Sequence, residues 1–433
     1  MKALIKKLTP TFILSWYHFF MAYLGAIRYG FPSRKMIVIG ITGTKGKTST
    51  AYFVWNVLEH AGVKTGMLTT AAIKIGDKDI VNTMHMTMPG RFFIQKHLRM
   101  MADAGCEVAI VETTSQGIAQ HRHRGIAYDI AVFTNLSPEH IESHGSYEAY
   151  REAKGKLFKT LSGAQPKKWK GAFFTPTSIL NHDDREYGYY SAITAPRQIS
   201  YGLSEDATVR ATHVLTTPHT VSFSVDQDRF DLSLPGTFMI PNALVAIAVA
   251  DLLDLPRKKV SEGVHTLSYI PGRMEEIKTN KDFRVFIDYA HEKLSMTALI
   301  TNLKQMAQGN RVIVVFGSEG GGRDKSKRKD MAEVVALLAD YAVVSDTDPY
   351  DEDPDLIVEE IGQHLAESGW RRDEQYFLIS NRRSGIRKAL SLAQSGDIVV
   401  CTAMGAQETM IRENGKAYPW SEREVVREEL LRV

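Results

Sequence analysis

The sequence predicts an α/β fold: a central phosphate-loop domain with a mostly parallel sheet and a C-terminal Rossmann-like α/β domain, preceded by a short apolar helix. Three observations predict this class. Short apolar runs alternate with helical patterns from residue 36 to about 160, the alternation restarts after residue 271, and a glycine-rich loop follows the first apolar run. This alternation is typical of a parallel sheet flanked by helices. We expect three parts, at residues 1–35, 36–270 and 271–433.

Each apolar run predicts one buried strand. In the central part these runs are Met36–Ile41, Glu107–Glu112 and Asp129–Leu136. In the C-terminal part they are Val285–Asp288, Arg311–Phe316, Tyr341–Ser345, Tyr376–Ile379 and Asp397–Thr402. Residue spacing predicts helices at Ser49–His60 and Asn242–Leu253, and Pro271-Gly272 marks the boundary between the two parts.

The composition excludes several classes of protein. The 433 residues include 53 Lys and Arg and 50 Asp and Glu, a net charge of +3 without a concentrated basic run, so we expect no nucleic-acid partner. A content of 44% hydrophobic and 24% charged residues excludes a disordered or fibrous chain. Two cysteines, Cys106 and Cys401, are too few for a disulfide framework or a cysteine zinc site. We therefore expect a cytoplasmic protein.

The first part of the chain is strongly apolar. Residues 11–27 carry no Asp, Glu, Lys or Arg, and Arg28 follows them. At 17 residues the stretch lies at the lower limit for a membrane span. Its small or polar residues form one stripe at helical spacing: Ser15, His18, Ala22, Gly25 and Tyr29. Three interpretations stay open: a helix packed on the protein or on a second copy, a helix at the inner face of the membrane, and a true span.

Residues 40–50 read GITGTKGKTST between a strand and a helix, which is the position of a phosphate-binding loop. Gly43 and Gly46 let backbone N–H groups turn inward around an anion, and the following helix adds its dipole. In such loops Lys47 reaches the β- and γ-phosphates, and the Thr48 hydroxyl binds Mg²⁺. The strict pattern fails, because Ile41 stands where its first glycine belongs. The predicted nucleotide-binding set is Gly43, Thr44, Lys45, Gly46, Lys47, Thr48 and Ser49.

The loop variant TGTKGKT resembles TGTNGKT of the Mur ligase superfamily, and further blocks resemble its MurE branch. These blocks are ETTSQGIAQHR at 112–122, FTNLSPEH at 133–140, YEAYREAKGKLF at 147–158, NHDD at 181–184, LPGTFMIPNALVAIA at 234–248, PGRME at 271–275, DYAH at 288–291 and GRDKSKR at 322–328. They occur in the order of the family, and the resemblance covers about residues 36–433.

The resemblance implies coupling of ATP hydrolysis to amide formation. In this family a substrate carboxylate attacks the γ-phosphate to give an acyl phosphate, and an amine then displaces phosphate. By resemblance, Thr48 and Glu112 hold one Mg²⁺ ion, and His140 holds a second ion near a carbamylated Lys154. Spacing alone makes Lys154 an ordinary lysine on a helix surface. The expected cofactors are therefore ATP and two Mg²⁺ ions, with carbamylated Lys154.

Catalysis in this family is mostly positioning and charge neutralisation. The residues that the resemblance assigns to it are Lys47, His140, Lys154, Arg273 and Asp288. Asn242 is expected at the adenine, and Arg273 and Asp288 are expected to close over the nucleotide.

The resemblance also assigns substrate contacts. Thr87, Ser115, Gln120 and Arg122 match positions that grip the muramyl-peptide acceptor. We expect the amino acid to meet Arg323, Asp348, Tyr350 and Glu408. The expected partners are thus small molecules, with membrane contact or self-association through the N-terminal helix left open.

Three departures from the family are visible. Only about 35 residues precede the first strand, so the usual N-terminal UDP-binding domain is expected to be missing. The amino-acid selector DNPR of diaminopimelate enzymes is Thr347-Asp348-Pro349-Tyr350, so Tyr350 replaces the Arg that pairs with the far carboxylate. This exchange favours lysine or ornithine. The family's GKGHE is altered at Met404–Glu408, where the register is ambiguous by one residue.

The expected function is an ATP-dependent ligase that adds a diamino acid to UDP-MurNAc-L-Ala-D-Glu in peptidoglycan precursor synthesis. One alternative is a Mur-type ligase with a lipid-linked or polyamide acceptor. The other is a non-catalytic nucleotide-binding scaffold. The presence of Lys47, Thr48, Glu112, His140 and Lys154 favours an enzyme.

Overall fold

The computed structural model describes residues 11–80, 82, 86–138, 144–217, 220–322 and 325–433. They form two compact units. The first unit holds the chain up to Thr216 together with Val221–Ser233 and Thr237–Ser268, and the second holds Thr217–Thr220, Leu234–Gly236 and Tyr269–Val433. The assignment of ATP binding to the central part and of amino-acid binding to the C-terminal part stays a prediction.

A nine-stranded sheet forms the centre of the described part of the first unit, in the order β11-β10-β9-β6-β1-β5-β2-β3-β4. The strands that build it are β1 (Ile37–Thr42), β2 (Thr65–Leu68), β3 (Ile73–Ile75), β4 (Lys78–Ile80), β5 (Val108–Glu112), β6 (Ile130–Phe133), β9 (Thr177–Asn181), β10 (Arg197–Gly202) and β11 (Val209–Arg210). The pairs from β11 to β2 are parallel, and β2, β3 and β4 continue as antiparallel strands. A short hairpin and a three-stranded antiparallel sheet complete the unit: β7 (Lys168–Trp169), β8 (Ala172–Phe173), β12 (Thr212–Thr216), β13 (Val221–Val225) and β14 (Asp228–Leu232).

Helices cover this sheet. They are α1 (Thr11–Arg28), α2 (Lys47–His60), α3 (Arg91–Asp103), α4 (Ser115–Ala119), α5 (Tyr147–Phe158), α6 (Tyr187–Ser191), α7 (Ile240–Leu252) and α8 (Arg257–Thr266), with short 3-10 helices at Pro32–Lys35 and Thr237–Met239. Helix α7 is apolar on nearly every side and almost entirely buried, as expected for a helix enclosed by the core. Helix α5 begins at Ser146, whose hydroxyl accepts a hydrogen bond from the Ala149 N–H at 3.1 Å.

The second unit is built on a six-stranded sheet in the order β15-β16-β20-β17-β18-β19, of which only the β15–β16 pair is antiparallel within the described residues. Its strands are β15 (Glu275–Ile277), β16 (Arg284–Ile287), β17 (Val312–Phe316), β18 (Tyr341–Val344), β19 (Tyr376–Leu378) and β20 (Ile398–Cys401), with a separate hairpin of β21 (Thr409–Ile411) and β22 (Ala417–Pro419). Its helices are α9 (Lys293–Ala307), α10 (Ser326–Leu338), α11 (Pro354–Glu367), α12 (Arg382–Leu392) and α13 (Glu422–Leu430), with a 3-10 turn at Glu413–Gly415.

The predicted fold class is confirmed. Both units have the parallel-rich sheet and flanking helices that the alternating pattern indicates. Central strands such as Val312–Phe316 are buried at every residue, because helices or loops cover both faces of the sheet. Strand limits differ from the prediction by one to three residues, as for Asp129–Leu136, which is a strand only at Ile130–Phe133. Within the described residues, no helix is long and apolar enough to cross a membrane.

Candidate active site

The phosphate loop lies at the carboxyl end of the central strand of the first unit. Strand β1 ends at Thr42, and α2 begins at Lys47 after Gly46. The register pairs Ile41 with Glu112 on β5, and Thr42 with Phe133 on β6. The parallel sheet therefore brings Glu112 and the segment after β6 to the same edge as the loop.

Two glycines of the loop stand where a side chain has no room. Gly43 has φ 153°, and a Cβ there would lie 1.9 Å from Thr134 Oγ1. Gly46 has φ 82°, and a Cβ there would lie 2.9 Å from Asn242 Oδ1. The loop backbone is thus closely enclosed, which holds its N–H groups in a fixed arrangement.

Asn135 holds the loop from the neighbouring strand. Its carbonyl oxygen accepts from the Thr44 N–H at 2.8 Å, and its side-chain Oδ1 accepts from the Lys45 N–H at 2.8 Å. Its Nδ2 donates to the Lys45 carbonyl at 3.1 Å, and Thr134 Oγ1 donates to the same carbonyl at 2.7 Å. Asn135 is a site residue that was not predicted from the sequence, although it lies inside the block FTNLSPEH at 133–140.

Two lysines converge on the loop. Lys47 Nζ donates to the carbonyl oxygens of Gly43 at 3.0 Å and Thr44 at 2.9 Å, and Lys154 Nζ donates to the Gly43 carbonyl at 2.8 Å. Lys154 is 2% exposed, and its Nζ lies 4.4 Å from the centre of the Tyr150 ring. It is therefore a buried residue of the loop environment and not the surface lysine that spacing alone suggests. The Lys47 ammonium beside a helix N-terminus suits a triphosphate.

A hydroxyl and a carboxylate meet beside the start of α2. Thr48 Oγ1 donates to Glu112 Oε2 at 3.0 Å, and the Thr70 N–H donates to the same oxygen at 3.0 Å. Thr70 Oγ1 is also hydrogen-bonded to Thr87 Oγ1. Thr70 is a further residue that the sequence analysis missed.

These groups fit Mg²⁺. The ion prefers oxygen ligands and usually takes only one or two from the protein when phosphates supply the rest. The described residues contain no group of three or more His, Cys, Asp or Glu side chains arranged to hold a metal ion alone. The predicted ligand His140 lies outside the described residues, so the second ion stays a prediction.

Gln120 and Arg122, two of the predicted acceptor contacts, lie together in the first unit. Arg122 donates through Nη2 to Gln120 Oε1 at 2.7 Å and through Nη1 to the Met88 carbonyl. Burial, and then the neighbouring Arg91, lower the pKa of Arg122. A substrate carboxylate would relieve this crowding of positive charge.

Ser115 lies three residues after Glu112, at the start of helix α4. Ser115 Oγ is 3.1 Å from His144 Nε2, and burial, followed by Lys154 and Lys156, lowers the pKa of His144. A cleft lined by Met88, Pro89 and Glu112 among others opens beside this segment.

Asn242 is placed against the loop. It is 7% exposed, its Oδ1 accepts from Thr50 Oγ1 at 2.8 Å, and its Nδ2 donates to the Phe238 carbonyl at 3.2 Å. These contacts tie α7 to α2. The expected adenine contact stays a prediction.

Arg273 and Asp288 lie together in the second unit. The Arg273 guanidinium lies 4.5 Å from the centre of the Tyr289 ring. Asp288 accepts backbone N–H groups through both carboxylate oxygens, from Met274 and from Ala290, each at 2.8 Å. Asp288 therefore shapes the turns that present Arg273, and their contact with nucleotide stays a prediction.

The second unit contains an open cavity with a polar lining. It is lined by His291, Gly317, Ser318, Glu319, Lys327, Thr347, Asp348, Ala403, Met404 and Gln407. Thr347 Oγ1 and Gln407 Oε1 are buried and have no hydrogen-bond partner among the described residues. Buried polar atoms of this kind point to a ligand, because a buried acceptor without a partner is costly.

Of the predicted amino-acid contacts that the structure describes, Asp348 lines this cavity, and Tyr350 and Glu408 are not among its lining residues. Tyr350 has φ 54°, and its ring lies so close to Gly321 that a Cβ there would be 2.7 Å from Tyr350 Cγ. Asp348 is 3% exposed, and its Oδ1 accepts from the Ile411 N–H at 2.7 Å. Glu408 is exposed, whereas its neighbour Gln407 lines the cavity. Arg323 lies outside the described residues.

Comparison with known proteins agrees with this geometry. The Mur ligase middle domain matches residues 41–250, and the Mur ligase glutamate ligase domain matches residues 272–405. The chain is 35% identical over 412 residues to a UDP-N-acetylmuramoyl-L-alanyl-D-glutamate–2,6-diaminopimelate ligase of Caldanaerobacter subterraneus subsp. tengcongensis, covering 94% of this chain and 81% of that protein. It is 32% identical to the ligase of the same name from Bacillus licheniformis, covering 95% of this chain and 82% of that protein.

A solved structure of a ligase with this name aligns with a TM-score of 0.62 at 25% identity, covering 92% of this chain and 78% of that one. The sequence prediction of a Mur-type ligase is thereby confirmed. The phosphate loop, the Thr48–Glu112 pair and these matches lead to one conclusion: the chain belongs to the Mur ligase family, the ATP-dependent enzymes that use Mg²⁺ and form amide bonds.

Proposed function

We propose that this enzyme joins a diamino acid to the D-glutamate of UDP-MurNAc-L-Ala-D-Glu, by way of an acyl phosphate. The observation that carries the proposal is the phosphate loop with Lys47, Thr48 and Glu112 in a chain 35% identical to a ligase named for this reaction. ATP supplies the phosphoryl group, and the bond from the γ-phosphate to the β-phosphate oxygen breaks as the acceptor carboxylate attacks. The amine then attacks the acyl carbon, and inorganic phosphate and one proton leave.

The residues of the first unit bind and orient the phosphates. Lys47 moves its ammonium from the carbonyl oxygens of Gly43 and Thr44 to the phosphate oxygens, which are stronger acceptors. Thr48 and Glu112 would hold Mg²⁺, which neutralises phosphate charge when bound. Arg122, whose guanidinium is held by Gln120 and the Met88 carbonyl, orients a carboxylate of the acceptor.

Lys154 is proposed to carry a carbamate. Its neutral amine would add CO₂ and release one proton, which turns a cation into a carboxylate. The support is its burial beside the loop, at 2.8 Å from the Gly43 carbonyl. With the predicted ligand His140, this carboxylate would hold a second Mg²⁺. An assay in CO₂-depleted buffer tests the step: bicarbonate should restore the rate, and a rate that does not respond to CO₂ or bicarbonate would contradict it.

Lysine or ornithine is favoured as the amino acid by Tyr350, whereas the cavity of the second unit suits an ammonium of any diamino acid. Thr347 Oγ1 and Gln407 Oε1 offer unused buried oxygens beside Asp348 and Glu319, and these groups suit an ammonium. Tyr350 occupies the position of the selector arginine, so the partner of a second carboxylate is missing from that position. The competing donor is 2,6-diaminopimelate, which is favoured by the printed names of the similar ligases.

The test is phosphate release from ATP and Mg²⁺ with UDP-MurNAc-L-Ala-D-Glu and a panel of amino acids, with the product mass as readout. We expect turnover with lysine or ornithine and the corresponding mass gain. Tyr350→Arg should move the ratio of kcat/KM values toward diaminopimelate by at least tenfold, because a bidentate ion pair becomes available. Tyr350→Phe is the matched control and should leave the preference unchanged.

If the wild type prefers diaminopimelate, the proposed amino acid is wrong, but the proposed ligase reaction is not contradicted. If ATP binds but no amino acid of the panel gives phosphate release or a product, the proposed acceptor is wrong, and a lipid-linked muramyl precursor would be tested next.

We also propose that the enzyme works in the cytoplasm next to a surface that helix α1 contacts, either a membrane or a second copy of the chain.

A further inference from the structure

Helix α1 presents its large apolar side chains to the outside. Residues Ile13, Trp16, Tyr17, Phe20, Tyr23, Leu24 and Ile27 are between 37% and 71% exposed. Their spacing of three and four residues places them on one side of the helix along its whole length. At 1.5 Å per residue, the apolar stripe from Ile13 to Ile27 is about 21 Å long.

The opposite side of α1 is made of small residues and packs on the protein. Ala22 and Ala26 are fully buried, and a Cβ at Gly25 would lie 3.6 Å from the Arg91 carbonyl group. A Cβ at Gly125 would lie 2.8 Å from the Ala26 Cβ, so the two backbones approach closely. Ser15 Oγ is hydrogen-bonded to His121 Nε2 at 2.8 Å. These contacts fix the rotation of the helix and keep the large side chains outward.

The charges around the stripe are positive. Helix α1 has no acidic residue, Arg28 is exposed at its last position, and Arg34 and Lys35 are exposed in the 3-10 helix that follows. These three cations form no ion pair in the part of the chain that the structure describes. The nearby Asp103 is paired with Arg99 at 2.8 Å. Helix α1 and the turn that follows it thus combine an apolar stripe, aromatic rings with polar atoms and exposed cations, of which Lys35 also lies near the Asp103 carboxylate.

We propose that α1 lies in the interface of an anionic membrane and holds the enzyme on its surface. Trp and Tyr rings are favoured at this depth, because their apolar bodies enter the acyl region while their N–H and O–H groups stay hydrated. Arg28, Arg34 and Lys35 would meet the anionic headgroups. A second copy of the chain fits less well, because it would bring the same cations and no carboxylate on α1 to meet them.

Vesicle co-sedimentation of the full-length protein, without nucleotide or substrate, tests the proposal. We expect binding to phosphatidylcholine vesicles with 30% phosphatidylglycerol, weaker binding at high salt, and little binding to phosphatidylcholine alone. The double substitution Trp16→Glu and Phe20→Glu should lower the partition coefficient at least tenfold. Leu337→Glu is the matched control, since Leu337 is 80% exposed on α10, and it should bind like wild type.

Trp16 supplies a second measurement. Anionic vesicles should shift the tryptophan emission of the wild type to shorter wavelength, and Trp16→Phe should bind but lose most of that shift. Equal binding of wild type and the double variant, or no binding by either, would overturn the proposal. A dimer in light scattering that the double variant abolishes, without vesicle binding, would assign the face to a second copy. Ligase activity plays no part in the readout, so either result is independent of the proposed reaction.

Discussion

His123 is a buried side chain that the proposed reaction does not use. It is 1% exposed, and neither ring nitrogen has a hydrogen-bond partner among the described residues. Burial, and then the positive charges of Arg124 and its neighbours, lower the pKa of His123 to about 3. The folded protein therefore holds this imidazole in its neutral form over the ordinary working range of pH.

The pKa of His123 predicts a loss of stability in acid. The unfolded chain takes up a proton near pH 6.5 and the folded chain only near pH 3, so stability is full above pH 6.5 and falls as pH is lowered toward 3. The loss is about 1.4 kcal/mol per pH unit in that window, or about 3 kcal/mol at pH 4.5. Urea unfolding at pH 7 and 4.5 measures it. His123→Phe and His123→Leu should lose less stability between these two pH values, and an unchanged difference would contradict the argument.

The strands that carry the site were predictable because buried parallel strands are continuous apolar runs. The runs Met36–Ile41 and Glu107–Glu112 predict β1 and β5 to within one residue at each end. The phosphate loop was predictable for a related reason, since its glycines and Lys47 act within a few residues of each other. Asn135 and Thr70 were not, because the sheet brings them to the loop from distant parts of the chain.

The cavity of the second unit shows a different limit of prediction from the sequence. Glu408 is the amino-acid contact that the altered GKGHE segment predicts, but Gln407 lines the cavity and Glu408 is exposed. Ala403 and Gly405 both have positive φ, so the backbone turns there and regular alternation of side chains does not apply. A register ambiguity of one residue therefore decides which side chain faces the cavity.

Helix α13 depends on a fully buried ion pair. Arg382 Nη2 donates to Glu422 Oε1 at 2.5 Å, and both side chains have an exposure of 0%. Arg382 Nη2 also donates to the Thr402 carbonyl at 2.6 Å, and Trp420 Nε1 donates to Glu422 Oε2 at 2.9 Å. This network joins α12, the end of β20 and the start of α13.

Glu422→Ala should destabilise the second unit by about 3–5 kcal/mol, because it leaves the Arg382 guanidinium buried without its carboxylate. The double variant Arg382→Met and Glu422→Leu should recover most of this loss, since no charge is then buried. Chemical unfolding of both variants measures the difference. If Glu422→Ala lowers the free energy of unfolding by less than about 1 kcal/mol, water reaches the Arg382 guanidinium and the ion pair is not shielded from solvent.

The two units of the molecule hold different parts of the proposed chemistry. The first unit carries the phosphate loop and the predicted acceptor contacts, and the second carries the cavity with the unused oxygens of Thr347 and Gln407. Formation of the acyl phosphate needs ATP and acceptor, whereas only the second step needs the amino acid. The two steps should therefore respond to different substitutions.

Hydroxylamine separates these steps, because it attacks the acyl phosphate to give a hydroxamate and inorganic phosphate without occupying an amino-acid site. Lys47→Ala should lower both hydroxamate and peptide formation at least a hundredfold, since the phosphates lose their main cation. Thr347→Val and Gln407→Leu should keep hydroxamate formation within about threefold while the KM for the diamino acid rises at least tenfold, because a buried ammonium loses an acceptor. Equal loss of both products in the Thr347 and Gln407 variants would show that the cavity acts before the amine arrives, and would remove it as the amino-acid site. A Gln407→Glu variant that keeps a low KM would show that the amino acid requires an oxygen acceptor at this position and not the amide N–H groups of Gln407.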